Sequence, residues 1–255
     1  MLSIAERQKY ILDSLNKNGF VGISDIANEL KVSKVTVRKD IKDLECRGFL
    51  YKMHGCAKSL NPHVPDMEID KKENIHKEEK KLIGTKAADM VNPKDSVIIA
   101  SGSTIFSFAE ELSKKEWEQL NIVTPFLRLG HLFNGVPNVS LFQLGGLIHM
   151  KSQSVRGESA VDDLKSCRCS KLFFGVDGIE PNFGITTSTI EEAKLTCKMM
   201  EAASLTVVLA DSSKFGKCGF GRICGIEDID VIITDKGISP QMIRLLENQV
   251  DLIIV

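Results

Sequence analysis

The sequence predicts two units of different class: a small helical head closed by a hairpin, and a larger α/β domain built on a mainly parallel sheet. Three observations predict this. Within residues 1–58, apolar positions recur at helical spacing in short segments separated by tight turns. From residue 77 onward, short near-continuous apolar runs alternate with amphipathic stretches, the pattern of strands covered on both faces. Between them, residues 59–76 contain Pro62, Pro65 and the start of a dense charge run, and read as a linker. The expected domains are therefore 1–58, a linker 59–76, and 77–255.

In the head, Ile4 to Asn18 reads as a helix with Ile4, Ile11 and Leu15 on one side and Leu12 beside them, stopped by Gly19. Ile23 to Leu30 makes a short second helix, with Ser24 as its expected cap and Ile26, Ala27 and Leu30 inward. Only Lys31 and Val32 separate it from Ser33, the expected cap of a third helix running to Glu45. There Val37, Ile41 and Leu44 form one apolar stripe. Lys34, Val35, Arg38, Lys39 and Lys42 lie from the edge of that stripe round to the opposite side, and Asp40 and Asp43 take the remaining flank.

Two short helices joined so tightly read as a helix-turn-helix, whose second helix enters the DNA major groove. Lys and Arg suit phosphates and guanine edges; Thr and Val suit a thymine methyl. A surface helix with a solvated basic face has the same composition. After Gly48, Phe49 to Lys58 fits a hairpin turning near Gly55, a wing that brings Lys52 or His54 to a phosphate or the minor groove. The candidate DNA contacts are thus Ser33, Lys34, Val35, Thr36, Arg38, Lys39, Lys42, Lys52 and His54.

The net charge of −1 hides an asymmetry. Residues 1–60 hold 11 Lys+Arg against 7 Asp+Glu, and the remainder 22 against 27, so +4 is joined to −5. A basic head on an acidic body suits a DNA-binding unit attached to one that does not bind DNA. The positive charge is modest, and a homo-oligomer on repeated half-sites is the natural remedy. No apolar run has membrane length, and the chain enters an amphipathic helix almost at once, so neither membrane nor export is expected and the cytoplasm is. The seven cysteines are scattered without a Cys-x2-Cys pair; Cys167 and Cys169 come closest and lack a partner pair. They read as reduced thiols, with no metal site and no cofactor expected.

In the larger domain a helix is expected from near His76 to Met90, with Leu82, Ile83, Ala87, Met90 and the stem of Lys86 on one face. Strands are expected at Ser96–Ala100, Asn121–Thr124, Val139–Leu144, Lys171–Val176, Leu205–Ala210, Val231–Thr234 and Leu252–Val255. Helices are expected at Thr104–Leu112, Phe126–Phe133, Ser159–Ser166 and Thr189–Ala203.

Parallel sheets bind ligands beyond the carboxyl ends of their strands. After the first strand come Ser101, Gly102, Ser103 and Thr104: a glycine between hydroxyl residues at a helix N-terminus, which makes an anion cradle where a plain cap needs only one such residue. It is neither a nucleotide P-loop nor a Gly-x-Gly-x-x-Gly fingerprint. Other strand ends carry Gly145 and Gly146 followed by Lys151, then Asp177 before Gly178, then Asp211 to Gly216 with Lys214. Lys214 can neutralise a phosphate as a point charge, and Asp177 can accept from sugar hydroxyls. Each also has an ordinary reading as a turn. Together they favour a phosphorylated, polyhydroxylated small molecule. A rival reading is an enzyme with a fused DNA-binding head, in which Asp177, Asp211 and Lys214 do acid–base work.

A family resemblance rests on these residues. Glu6-Arg7-Gln8, Val32-Ser33, the run Thr36 to Ile41, Leu44-Glu45, Gly48-Phe49-Leu50 and His54-Gly55 resemble the winged helix-turn-helix of the DeoR family of bacterial transcription regulators. Ala100 to Thr104, Leu144-Gly145-Gly146, Phe174 to Ile179, Gly184-Ile185-Thr186, Asp211 to Gly216 and Ile233-Thr234-Asp235 resemble that family's sensor domain. Two departures stand out: Cys56 replaces the usual second glycine of the wing, and Thr124-Pro125-Phe126 replaces a Thr-Asn pair. The resemblance implies a sensor similar in fold to ribose-5-phosphate isomerase and glucosamine-6-phosphate deaminase. It implies a non-enzymatic repressor of a sugar or sugar-alcohol catabolic operon, controlled by a phosphorylated effector. Its partners would be double-stranded operator DNA and the effector, which is expected on Ser101–Thr104, Gly145, Gly146, Lys151, Asp177 and Lys214.

Overall fold

The computed structural model of the protein describes residues 2–18, 20–47, 49–53, 55–59 and 66–255. His54 and the expected stops Gly19 and Gly48 lie outside the described residues, as do Pro62 and Pro65.

The head consists of α1 (Ile4–Asn18), β1 (Phe20–Gly22), α2 (Ile23–Glu29), α3 (Lys34–Cys46), β2 (Leu50–Met53) and β3 (Cys56–Ser59). The apolar stripes of its helices meet in one core, with Ile11, Leu15, Ile26, Val37, Ile41 and Leu44 all buried. Ser33 caps α3, its hydroxyl accepting from the Thr36 N–H at 3.1 Å. Ser24 is not a cap. Phe20–Gly22 is extended and pairs with β3, so α2 starts directly after Gly22 and no side chain caps it. The wing is a three-stranded antiparallel sheet in the order β1-β3-β2, turning at Gly55, whose φ of +78° suits glycine.

Within the linker stretch, α4 (Ile69–Glu73) forms a short helix. The chain then runs through α5 (Lys77–Ala88), β4 (Ser96–Ile99), α6 (Ser103–Ser113), β5 (Leu120–Thr124), α7 (Leu127–Leu132) and β6 (Val139–Gln143). Next come β7 (Leu147–His149), β8 (Ser154–Arg156), α8 (Glu158–Leu164), β9 (Cys169–Gly175), β10 (Gly178–Glu180) and β11 (Gly184–Thr187). The chain closes with α9 (Ile190–Glu201), β12 (Ala203–Leu209), β13 (Gly221–Cys224), β14 (Val231–Thr234), α10 (Pro240–Leu246) and β15 (Asp251–Ile254).

Seven strands form one parallel sheet in the order β15-β14-β12-β9-β4-β5-β6. Alternate residues go to opposite faces, and both faces are buried. Val97, Ile99, Phe173, Val207 and Ile233 pack with Ile83, Ala87, Phe108 and Leu112 of α5 and α6. Ile98, Leu172, Phe174, Val208 and Ile232 pack with Leu164, Leu195, Met199 and Met242 of α8, α9 and α10. This is why the strands read as unbroken apolar runs. Among the described residues no helix is long and apolar enough to cross a membrane.

The inward face of α5 differs from expectation. Ile83 and Ala87 are buried, but their companions are Gly84 and Ala88; Leu82 is 55 % exposed and Lys86 is exposed. The cause is close packing on α6. A Cβ on Gly84 would sit 2.8 Å from the backbone of Ser107 and Phe108, so only small residues fit at this crossing. Gly84→Ala is therefore expected to destabilise the larger domain by about 1–3 kcal/mol through overpacking, despite the gain in helix propensity. Urea denaturation of the two chains checks this; equal or greater stability in the variant would show that the α5–α6 crossing gives way freely.

Candidate functional site

On the head, α3 divides its charges by face. Asp40 is buried and accepts from Arg7 through two hydrogen bonds, Nε to Oδ2 at 2.7 Å and Nη2 to Oδ1 at 3.0 Å. Asp43 accepts from Gln8 at 2.8 Å, and Gln8 accepts in turn from Arg47 at 3.1 Å. These bonds fasten α1 to α3 on the side away from the basic face. Lys34, Arg38, Lys39 and Lys42 are exposed, and among the described residues none has an acidic partner. Val35 stands among them, 70 % exposed. Ser33 and Thr36 share a hydroxyl–hydroxyl bond of 2.9 Å at the helix start. Lys52 is exposed on the wing, and its backbone N–H donates to Glu45 Oε1 at 2.8 Å, tying β2 to α3. The result is a convex helix with an unneutralised cationic face and one apolar tip.

At the carboxyl edge of the large sheet lies a small cleft, open at its mouth. One wall is the start of α6. Gly102 takes φ +137° before the helix, and no side chain caps that end, so the first-turn N–H groups face the cleft. Ser101, Ser103 and Thr104 line it with their hydroxyl residues. Lys214 enters from the loop after β12. That loop is held by Asp211, which accepts from the Ser213 N–H at 3.0 Å, and by Asp235, which accepts from the Ser212 N–H at 2.6 Å.

Asp177, just beyond β9, lies on the cleft floor and is only 6 % exposed. Its Oδ1 accepts from Lys72 Nζ at 2.8 Å; its Oδ2 accepts from the Ser188 N–H at 3.0 Å and Thr187 Oγ1 at 3.3 Å. Burial works to raise the Asp177 pKa, but Lys72 and Lys214 overcome it and hold the carboxyl below its ordinary value. Glu192 lines the same cleft and pairs with Arg156 Nη2 at 3.1 Å. Burial and the nearby Asp177 charge push the Glu192 pKa up, against Arg156 and Lys72. Arg156 is nearly buried, and its Nε–H has no acceptor among the described residues.

The structure thus gathers Ser101, Gly102, Ser103, Thr104, Asp177 and Lys214 around one space. Gly145, Gly146 and Lys151 are not among its lining residues. The Gly145 N–H donates to Asp163 Oδ2 at 2.8 Å, and Gly146 takes φ +143° against the Arg156 carbonyl. Lys151 lies instead beside Asp66, 3.6 Å from its carboxylate. Sequence reasoning missed Lys72, Thr187 and Glu192. Lys72 sits in the charge run of the expected linker, Thr187 ends the short strand β11, and Glu192 is one of two acids in the first turn of α9.

These features define a class of protein: a helix-turn-helix head with an exposed basic helix, joined to an α/β domain with a polar cleft at its sheet edge. The chain matches the DeoR-like helix-turn-helix domain over residues 7–63 and the DeoR C terminal sensor domain over residues 75–236. It belongs to the DeoR family and is a DNA-binding transcriptional regulator. It is 32 % identical to the lactose phosphotransferase system repressor of Streptococcus mutans serotype c, over 90 % of this chain and 91 % of the relative. It is 30 % identical to the putative aga operon transcriptional repressor of Escherichia coli O157:H7, over 92 % of this chain and 87 % of the relative. Among solved structures it is similar to ribose 5 phosphate isomerase A from Neisseria gonorrhoeae, with a TM-score of 0.39 and 19 % identity over 53 % of this chain and about half (52 %) of the isomerase.

Behind the cleft, Lys80 is buried and donates to the Lys72 carbonyl. Burial pushes its pKa down to about 8, with Asp211 opposing. Between about pH 8 and the ordinary lysine value near 10.4, the unfolded chain holds a proton the folded chain has released. Stability owed to this group therefore rises with pH across that window. The denaturation free energy of the native chain minus that of Lys80→Met is expected to grow from pH 8 to pH 10; a flat or falling difference would contradict the shift.

Proposed function

We propose that the protein represses genes of sugar or sugar-alcohol breakdown, binding operator half-sites as a homo-oligomer in the cytoplasm, and that a phosphomonoester of a polyhydroxylated compound in the cleft controls its grip on DNA. The observation that carries this is the pairing of an uncapped helix start and Lys214 with two carboxylates, Asp177 and Glu192, in one space. The first pair suits a phosphate; the second suits hydroxyls. Arg156, with its open Nε–H, offers a further donor beside Glu192. The printed names of the two relatives, a lactose phosphotransferase system repressor and an aga operon repressor, support a sugar-related role.

On the head, Lys34, Arg38, Lys39 and Lys42 would meet phosphates or base edges, with Ser33, Val35, Thr36 and Lys52 alongside. The reading assigns no catalysis. Asp177 is engaged by three donors, and Asp211 holds its own loop. Incubation with ribose 5-phosphate or glucosamine 6-phosphate is expected to give no turnover; turnover would favour an isomerase-like or deaminase-like enzyme.

The test is a thermal-shift panel of sugar and sugar-alcohol phosphates against their unphosphorylated parents. A ligand at a hundredfold its Kd adds about 2.7 kcal/mol of stability, enough to read. Shifts with esters and none with parents support the reading; no shift with any ester removes the phosphate assignment. Two variants then separate the domains. Arg38→Ala is expected to weaken operator binding by about 1–3 kcal/mol while leaving ester affinity unchanged. Ser103→Glu is expected to bind operator normally and lose the response to the ester. Gel-shift titrations with and without the ester check both.

A further inference from the structure

Lys72 differs from every other lining residue in where the chain brings it from. The cradle, Asp177, Glu192 and Lys214 all belong to the sheet domain. Lys72 belongs to α4, in the segment joining the wing strand β3 to α5. From Asp66 onward that segment is fastened to the sheet domain. Ile69 is buried, and its N–H donates to the Lys151 carbonyl at 2.8 Å. Asp66 lies 3.3 Å from His149 Nε2 and 3.6 Å from Lys151 Nζ. Arg128 pairs with both Asp70 and Glu73. Among the described residues of this strap, Lys72 alone lines the cleft.

We propose that Lys72 is an effector-binding residue, so that a phosphate held in the Ser101–Thr104 cradle also grips the connector of the DNA-binding head. This rests on the phosphomonoester reading of the cleft. Without ligand, the Lys72 ammonium has one anionic partner, Asp177. A bound phosphate supplies a second, and strengthens the hold on the strap. The physical need for such a contact is general. A ligand touching only the sheet domain binds equally well whether the strap is docked or released, and so shifts nothing between those states. A ligand touching Lys72 binds the docked strap more tightly and must, by linkage, hold it docked. The signal to the head then starts at a residue of the connector itself.

The experiment uses the full chain, with inorganic phosphate and glucose 6-phosphate as probes. Amide hydrogen exchange is followed at residues 66–76 and 100–106, and affinity by calorimetry. In the native chain a bound probe is expected to slow exchange in both segments. In Lys72→Met, affinity is expected to fall about tenfold or more, as for loss of a charge-assisted hydrogen bond. Slowing is then expected at 100–106 alone, and Lys72→Arg restores both. Lys72→Met with Asp177→Asn removes both charges and guards against a fold failure caused by an unpaired buried carboxylate. Slowing at 100–106 but not at 66–76 in the native chain, or native affinity and strap protection in either Met variant, overturns this inference and leaves the cleft assignment intact. No binding of either probe overturns the phosphate reading and this inference with it.

Discussion

A carboxylate buried at the carboxyl edge of the sheet has to be satisfied where it stands, and the sensor domain is arranged around that requirement. Asp177 draws donors from two separate segments: the ammonium of Lys72 on α4, and the Thr187 hydroxyl and Ser188 N–H at the turn into α9. Removing any partner of a buried charge is costly, because the remaining charge stays desolvated. The pair therefore pins the strap to the sheet and fixes the start of α9. That helix in turn delivers Glu192, three residues after its cap Thr189, to the same space. The polarity of the cleft follows from this placement. Cations and free N–H groups collect at the α6 side, and carboxylates collect on the floor.

The head solves a related problem with the opposite outcome. Asp40 of α3 is turned inward onto Arg7 and Asp43, though exposed, accepts from Gln8, while Lys34, Arg38, Lys39 and Lys42 face outward. Every acid on the outer face would cancel part of the attraction to a phosphate backbone. Burying Asp40 and tying Asp43 to Gln8 lets a head of only modest net charge present four exposed cations on one helix. The same bonds set the angle of α1 against α3, so stability and DNA recognition depend on one set of contacts.

The fold was legible where physics is local. Period-3.6 stripes, the Ser33 cap and the unbroken apolar strands each report their environment within a few residues. Where the outcome depends on distant chain, the sequence was a poor guide. Ser24 looks like a cap, yet Gly22 is committed to a strand whose partner lies on the wing, and that pairing moves the helix start. Leu82 belongs on an apolar face by spacing alone, yet the approach of α6 at Gly84 rotates the contact toward smaller residues. The short pairs β7–β8 and β10–β11, and the strand β13, carry no alternation long enough to read. In the cleft, residues following strong strands were found, as Ser101 to Thr104, Asp177 and Lys214 show. Lys72 and Glu192 were not, because nothing nearby in sequence distinguishes them from solvated helix charges.

Two neighbouring carboxylates with pKa values pushed in opposite directions are a common sign of acid–base chemistry. Here the surroundings argue for binding instead. Asp177 is held ionised by Lys72 and Lys214 with each oxygen already accepting a hydrogen bond, so taking up a proton would cost it part of that stabilisation. Glu192 is raised chiefly by burial and is steadied by Arg156 at 3.1 Å, an arrangement that fixes a hydroxyl-accepting oxygen in place. Exchange of one partner for a ligand hydroxyl or phosphate is easy in such a network, since each charge keeps at least one counter-charge throughout. A site whose two carboxylates each have a cationic partner, one of them from the connector, fits the proposed role of reporting occupancy.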